Sequence, residues 1–168
     1  IFCFSDFKTV RCDRANDTGY GGVLNLIKKS LAFEEFQLEN YSKIESSFIE
    51  LNDNKRKKLR LGVVYNPPNC DQEAFSELSD LFSKILNDET PCIIAGDFNF
   101  PKINWKNLTS FDDNFSNDFL FLTQEYGLNQ FVFEPTHRLG NILDLILCTE
   151  SFLITEVKLR QPLSTSDH

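Results

Sequence analysis

A chain of 168 residues can form one domain with a sizeable hydrophobic core, but it is too short for two domains of ordinary size. Hydrophobic residues make up 41% and charged residues 25%, and both fractions are typical of a folded globular protein. The net charge of −8 argues against binding of nucleic acid through bulk electrostatics, although an enzyme that meets phosphate through a bound cation remains compatible with it.

Strands and helices are predicted along the whole length, and no linker divides them. In chain order the predicted elements are strands at Gly22–Lys28, 44–51 and 59–65, a helix at 71–86, a strand at 91–96, a helix at 114–126, and strands at 142–148 and 154–159. The helix at 71–86 has the clearest apolar stripe, and the strand at 91–96 is wholly apolar, as in a strand covered on both faces. This mixture predicts a single α/β layered domain.

Cysteine usage and hydropathy indicate the compartment in which the protein is expected. The five cysteines are widely spaced without a C-x-x-C pair, which argues against a disulfide framework and a zinc knuckle and favours an intracellular compartment. No stretch approaches the roughly 20 apolar residues of a membrane span, so no membrane partner is expected. The chain begins at Ile1, and we therefore expect a removed leader or a fragment.

The strongest chemical signal is Gly96-Asp97-Phe98-Asn99, directly after the predicted buried strand. Gly96 permits a sharp turn, and alternation in an extended chain would aim Asp97 and Asn99 at one point. A carboxylate can bind a metal or accept a proton from water, and a carboxamide can donate to a phosphoryl oxygen. An ordinary strand-to-loop turn is the competing interpretation, since Gly, Asp and Asn are common in turns.

Three weaker signals accompany it. Ser166-Asp167-His168 combines a hydroxyl, a carboxylate and an imidazole, although a polar tail would look the same. Asp144 lies within an apolar strand, where it must be paired or functional unless it faces solvent at an edge. Tyr65 ends a strand before Pro67-Pro68 and could donate its hydroxyl to a phosphate, although a tyrosine before a turn is more often part of the core.

Together these signals have a recognisable order. GDFNFPKINW, PTHRLGNILDLIL, the closing SDH, and Arg11-Cys12-Asp13-Arg14 followed by Gly21-Gly22-Val23 resemble motifs of the endonuclease domains of non-LTR retrotransposons. Those domains belong to the endonuclease/exonuclease/phosphatase superfamily, which includes abasic-site endonucleases. The resemblance covers essentially all 168 residues. It implies a four-layered α/β sandwich of two packed mixed sheets flanked by helices, with residues 1–168 as a partial domain that lacks its N-terminal strands.

The resemblance also implies a role for each matching position. Tyr65 would contact the scissile phosphate, and Asn99 would bind the substrate and stabilise the transition state. Asp97 would orient or deprotonate the attacking water or help to hold the metal. Asp144 would pair with His168. Asp167 would lie beside the metal, which would be Mg²⁺ with Mn²⁺ as an alternative, and Ser166 would support that turn and the substrate.

The implied activity is nicking of target DNA for target-primed reverse transcription. A reverse transcriptase domain is expected downstream, and the full-length protein is expected in the nucleus. The family's metal site also uses an Asn and a Glu from its first two strands, and both precede the region that Arg11–Val23 resembles. We therefore expect this fragment alone to be inactive. The alternatives are an inactive truncated relic, or a related phosphoesterase that acts on another substrate.

Overall fold

The computed structural model of the protein describes residues 4–14, 21–52, 57–111 and 113–160. The strands and helices, in chain order, are β1 (Phe7–Asp13), β2 (Gly22–Lys28), β3 (Phe33–Phe36), β4 (Glu45–Asn52), β5 (Lys58–Tyr65), α1 (Gln72–Ile85), β6 (Cys92–Asp97), β7 (Ile103–Asn104), β8 (Thr109–Ser110), α2 (Asn114–Glu125), β9 (Asn129–Gln130) and β10 (Asp144–Cys148). Short 3₁₀ turns occupy Phe4–Asp6 and Ser151–Leu153.

Most elements predicted from the sequence are confirmed to within two residues at each end. The strand predicted at 154–159 is wrong, because that segment pairs with no strand among the described residues, and Glu156 and Lys158 form an exposed ion pair at 2.7 Å instead. The sequence patterns did not predict β1 or β3. The second of these has two consecutive glutamates, so it lacks the alternation on which the prediction of strands depends.

A six-stranded sheet with the order β3-β4-β5-β6-β10-β9 forms the centre of the molecule. The pairing of β5 with β6 is parallel, and the other neighbouring pairs in this sheet are antiparallel. Helix α1 makes the connection from β5 to β6, as parallel neighbours require. A second sheet of the described residues contains β1 and β2, which pair antiparallel, and β7 and β8 form a small hairpin.

The two faces of the central sheet are covered by different layers. On one face, Phe48, Val64 and Ile94 belong to a cluster with the buried residues of α1 and α2. On the other face, Ile49 packs against Val10 and Ile27 from the two-stranded sheet. The described residues therefore form three layers, helices, sheet and sheet, of the four that the sequence analysis expects. None of the helices in the described part of the chain has the length and apolar character of a membrane span.

Helix α1 illustrates why the sequence folds in this way. Its buried residues Ala74, Leu78, Leu81, Phe82 and Ile85 recur at helical spacing and face the sheet. The carboxylate of Asp71 caps the N-terminus by accepting a hydrogen bond from the Ala74 N–H at 2.8 Å. The helix therefore begins at a fixed residue, and this fixes the crossover between β5 and β6.

At Gly96 the backbones of β5 and β6 approach closely. Gly96 has a φ of +151°, and a Cβ at this position would lie 1.8 Å from the Val64 carbonyl oxygen. No side chain fits there without separating the two strands. Gly96 therefore permits the close β5–β6 pairing just before both strands end.

We predict that Gly96→Ala destabilises the fold by about 3 kcal/mol or more, because a clash with backbone adds to the strain of a positive φ. The matched control is Gly127→Ala, where φ is +62° and an added Cβ would meet no atom within 4 Å. That control should cost only the conformational strain of about 1–2 kcal/mol. Urea unfolding measures both, and similar losses for the two variants would show that the close approach does not constrain the sheet.

Candidate active site

Four polar side chains lie in one row across the central sheet. Glu45 pairs with Tyr65 across β4 and β5, Tyr65 with Asp97 across β5 and β6, and Asp97 with Asp144 across β6 and β10. Residues that are directly opposite on paired strands point to the same face, and neighbouring strands are roughly 4.8 Å apart. The row therefore brings Tyr65, Asp97 and Asp144 together at one end of the sheet.

Asn99 joins this row through direct hydrogen bonds to Asp97. Its Nδ2 donates to Asp97 Oδ2 at 2.9 Å and to the Asn66 carbonyl oxygen at 2.8 Å, and its backbone N–H donates to Asp97 Oδ1 at 3.2 Å. The sequence analysis assumed that the alternation of an extended chain brings the two side chains together, but the contact arises in another way. Asn99 instead has a φ of +54°, and this left-handed turn folds its side chain back towards Asp97.

Two phenylalanines anchor the loop that carries Asp97 and Asn99. Phe98 and Phe100 are buried at 0% and 3% exposure. Both stack on Phe119 of α2, with centroid distances of 5.3 Å and 4.4 Å. Polar and aromatic residues thus alternate, with the rings in the core and the polar groups at the row. Because the rings are fixed by packing, the loop has little freedom to move Asp97 or Asn99.

Asn66 and Thr136 form hydrogen bonds to backbone groups at or next to residues of the row, and the sequence analysis gave them no role. The buried Asn66 donates from Nδ2 to the Phe98 carbonyl oxygen at 2.8 Å. The Thr136 hydroxyl oxygen accepts from the N–H groups of Leu143 and Asp144, both at 3.0 Å. The signals that could have found them are the position of Asn66 directly after Tyr65 and of Thr136 within PTHRLGN.

Glu45 and Arg14 are further polar residues that the sequence analysis did not select. Glu45 is 8% exposed, and Arg14 forms a two-point ion pair with it, through Nε to Oε1 and through Nη2 to Oε2 at 3.2 Å. The hydrogen bond with Glu45 raises the pKa of the Arg14 guanidinium above its ordinary value, and the partial burial of the group opposes this rise. The guanidinium therefore stays charged beside Tyr65.

The oxygen donors in the row fit a hard divalent cation in chemical type, because Asp97, Asp144 and Asn99 offer carboxylate and amide oxygens. The number of these oxygen donors fits a metal site less well. Within 4–14, 21–52, 57–111 and 113–160, no group of three His, Cys, Asp or Glu side chains is placed to hold a metal ion. Ser166, Asp167 and His168, which the sequence analysis assigns to the same site, lie outside the described residues.

A cleft is formed by segments that adjoin residues of the row along the chain. Its lining includes residues 101–106, which follow Asn99 along the chain, and residues 140–142, which precede Asp144. Lys102 and Lys106 contribute amines, and the rings of Phe111 and Phe133 are more than two-thirds exposed. Trp105, by contrast, is only 6% exposed and makes an edge contact with Phe119, so it is a packing residue.

Comparison of the sequence and the fold with known proteins identifies the family of the chain. Residues 59–168 match the sequence model of a family described as endonuclease-reverse transcriptase, and this segment includes Tyr65, Asp97, Asn99 and Asp144. A search of curated proteins finds no significant match. Among solved structures, the fold is similar to the endonuclease domain of TRAS1, a telomere-specific non-LTR retrotransposon, with a TM-score of 0.75 and 18% identity. The alignment covers 99% of this chain and 76% of that domain.

These findings confirm the family and the fold that the sequence motifs imply. The family match spans more than half of the chain, and it ends on the Ser166-Asp167-His168 motif. The chain belongs to the endonuclease-reverse transcriptase family, and its α/β architecture is that of the endonuclease/exonuclease/phosphatase superfamily.

Proposed function

We propose that the chain is the endonuclease domain of a non-LTR retrotransposon, a metal-dependent phosphodiester hydrolase that nicks target DNA to prime reverse transcription. Membership of the endonuclease-reverse transcriptase family supports the nuclease role. The observation that carries the proposal is the row Tyr65, Asp97 and Asp144 on adjacent strands, with Asn99 bound to Asp97. This row combines a proton acceptor, hydrogen-bond donors and metal-binding oxygens within two strand spacings.

In this mechanism each described side chain has a distinct task. The Tyr65 hydroxyl donates to a non-bridging oxygen of the scissile phosphate, and Asn99 Nδ2 donates to the charge that develops there. Asp97 orients the attacking water and accepts its proton. In the structure Asn99 Nδ2 donates to Asp97 Oδ2 and to the Asn66 carbonyl oxygen, which uses both of its hydrogens, so it exchanges one of these hydrogen bonds for a phosphate oxygen when substrate binds.

The remaining parts of the mechanism involve residues 166–168 and a cation. Asp97 and Asp167 would hold Mg²⁺, or Mn²⁺, which when bound supplies positive charge that offsets the charge developing on the phosphate. Asp144 would orient the imidazole of His168 and stabilise its protonated form, and Ser166 would support this turn and the substrate. His168 would then donate a hydrogen bond to the phosphate.

The cleft lined by residues 101–106 and 140–142 supports DNA as the substrate. Lys102 and Lys106 can approach phosphates of the backbone, and the exposed rings of Phe111 and Phe133 can contact sugars or bases. The two lysines supply local positive charge in a chain whose net charge is −8. In the full-length protein we propose a reverse transcriptase domain as the partner and the nucleus as the site of action.

The first test is nicking of supercoiled plasmid by the domain together with the sequence that flanks it in its gene. Asp97→Ala, Asp97→Asn and His168→Ala should each reduce the rate by on the order of 10²-fold or more, because each group acts chiefly in the transition state. Asp118→Ala, at an exposed position of α2, is the matched control and should retain the wild-type rate. Gel densitometry gives the rates, and circular dichroism checks the fold.

The same assay also separates the alternatives. Excess chelator should abolish nicking, and Mg²⁺ or Mn²⁺ should restore it. Full nicking by Asp97→Ala would refute the catalytic role of Asp97, and full nicking in chelator would refute the metal dependence. Hydrolysis of phosphate monoesters without nicking would indicate a related phosphoesterase, and a folded wild-type protein without either activity would indicate an inactive relic.

We further propose that the metal site is completed by the family's Asn and Glu, for which residues 1–168 contain no match. A cation held by too few oxygens binds weakly, because Mg²⁺ requires nearly ideal octahedral geometry. Ile1–His168 expressed alone should therefore nick at least about 10²-fold more slowly than a version extended at both ends. Equal nicking rates and melting temperatures for the two proteins would contradict this placement of the metal site.

A further inference from the structure

The arginine at the end of β1 contacts three features of the site at once. Besides its two-point ion pair with Glu45, the Arg14 Cζ lies 4.8 Å from the centroid of the Tyr65 ring. A Cβ at Gly21 would lie 2.8 Å from both Arg14 Cζ and Nε, and Gly21 has a φ of +102°. The glycine therefore leaves the space that the guanidinium occupies.

The backbone that leads into Glu45 is held by α1. The carboxylate of Glu77 on α1 accepts hydrogen bonds from three consecutive backbone N–H groups immediately before it, those of Ser42 at 2.9 Å, Lys43 at 2.8 Å and Ile44 at 3.2 Å. Glu45 then begins β4, directly opposite Tyr65. The backbone that carries Glu45 is thus held from the helix layer, and the backbone of Tyr65 is held by the sheet.

This geometry determines what Arg14 does to Tyr65. A tyrosine ring can turn about its terminal torsion, which has a broad energy profile, so packing has to fix its plane. A guanidinium over the ring contributes about 0.5–2 kcal/mol, and the planar fork of arginine is oriented by the two-point contact with a carboxylate. The pair of Arg14 and Glu45 can therefore restrict the ring whose hydroxyl meets the phosphate.

We propose that Arg14, oriented by Glu45, is a positioning residue that fixes the Tyr65 ring for contact with the scissile phosphate. This inference rests on the proposed nuclease function. The proposal gives a role to the salt bridge between Arg14 and Glu45, which lies at the end of the polar row and is mostly buried on the Glu45 side. A buried ion pair is by itself weak evidence for stability. Arg14 acts through Tyr65 and does not bind the DNA.

The test is a double-mutant cycle in plasmid nicking with Arg14→Ala, Tyr65→Phe and the double variant, in the domain with its flanking sequence. Arg14→Ala should lower kcat by about tenfold or more, because a misplaced reacting group is costly. In the Tyr65→Phe background the same change should cost less than about twofold, since its target hydroxyl is already gone. Equal losses in both backgrounds would overturn the inference.

Two further measurements separate positioning from simple charge and from direct DNA contact. Arg14→Lys keeps the charge but not the planar fork, so it should remain as deficient as Arg14→Ala, and a wild-type rate would overturn the proposal. The Kd for a DNA duplex, measured by fluorescence anisotropy in chelator, should be unchanged within about twofold. A Kd weakened by about tenfold or more would show direct DNA contact and would equally overturn it.

The controls keep the result interpretable. Arg11→Ala removes an exposed arginine that pairs with Asp13 at 3.2 Å, and it should leave the nicking rate unchanged. If Arg14→Ala does not fold, Glu45→Gln replaces it in the cycle and should show the same loss and the same dependence on Tyr65. Absence of nicking by the wild-type protein would refute the proposed function and this inference together, whereas additive losses in an active protein would refute the inference alone.

Discussion

The parallel pairing of β5 and β6 is the constraint on which the candidate site depends. These strands belong to the middle of the six-stranded sheet, and they end side by side at Tyr65 and Asp97. At Gly96 the backbones are too close for any Cβ, so the register and the separation of the two strands are fixed immediately before the strands end at Tyr65 and Asp97. Tyr65 at the end of β5 and Asp97 at the end of β6 are therefore held as neighbours.

The remainder of the site is attached to this pair by short-range forces of different kinds. Packing of Phe98 and Phe100 on Phe119 holds the loop after β6, and hydrogen bonds from Asn99 turn its carboxamide towards Asp97. An ion pair at Glu45 brings Arg14 from the second sheet onto the Tyr65 ring. The apolar core thus supplies rigidity, and the polar contacts supply direction, which is what preorganised catalysis by charge and hydrogen bonding requires.

The sequence predicted those features that depend on local patterns. The helical periodicity of α1 and the apolar runs of β5 and β6 located the elements. Motif order selected Tyr65, Asp97, Asn99 and Asp144, which the structure brings close together. The left-handed turn at Asn99 was not predictable in the same way, because alternation suggested an extended chain there. Arg14 and Glu45 are 31 residues apart in sequence, and only the packing of two sheets reveals that they are partners.

The central claim is that the scissile phosphate binds at the row formed by Tyr65, Asp97, Asn99 and Asp144. The most direct measurement is a crystal structure of the domain, with its flanking sequence, bound to a short DNA duplex in Ca²⁺, an ion chosen to occupy the site without supporting turnover. The account predicts a phosphate with non-bridging oxygens at hydrogen-bonding distance, about 2.5–3.2 Å, from Tyr65 Oη and Asn99 Nδ2. A bound duplex whose nearest phosphate lies beyond the reach of both side chains would contradict it.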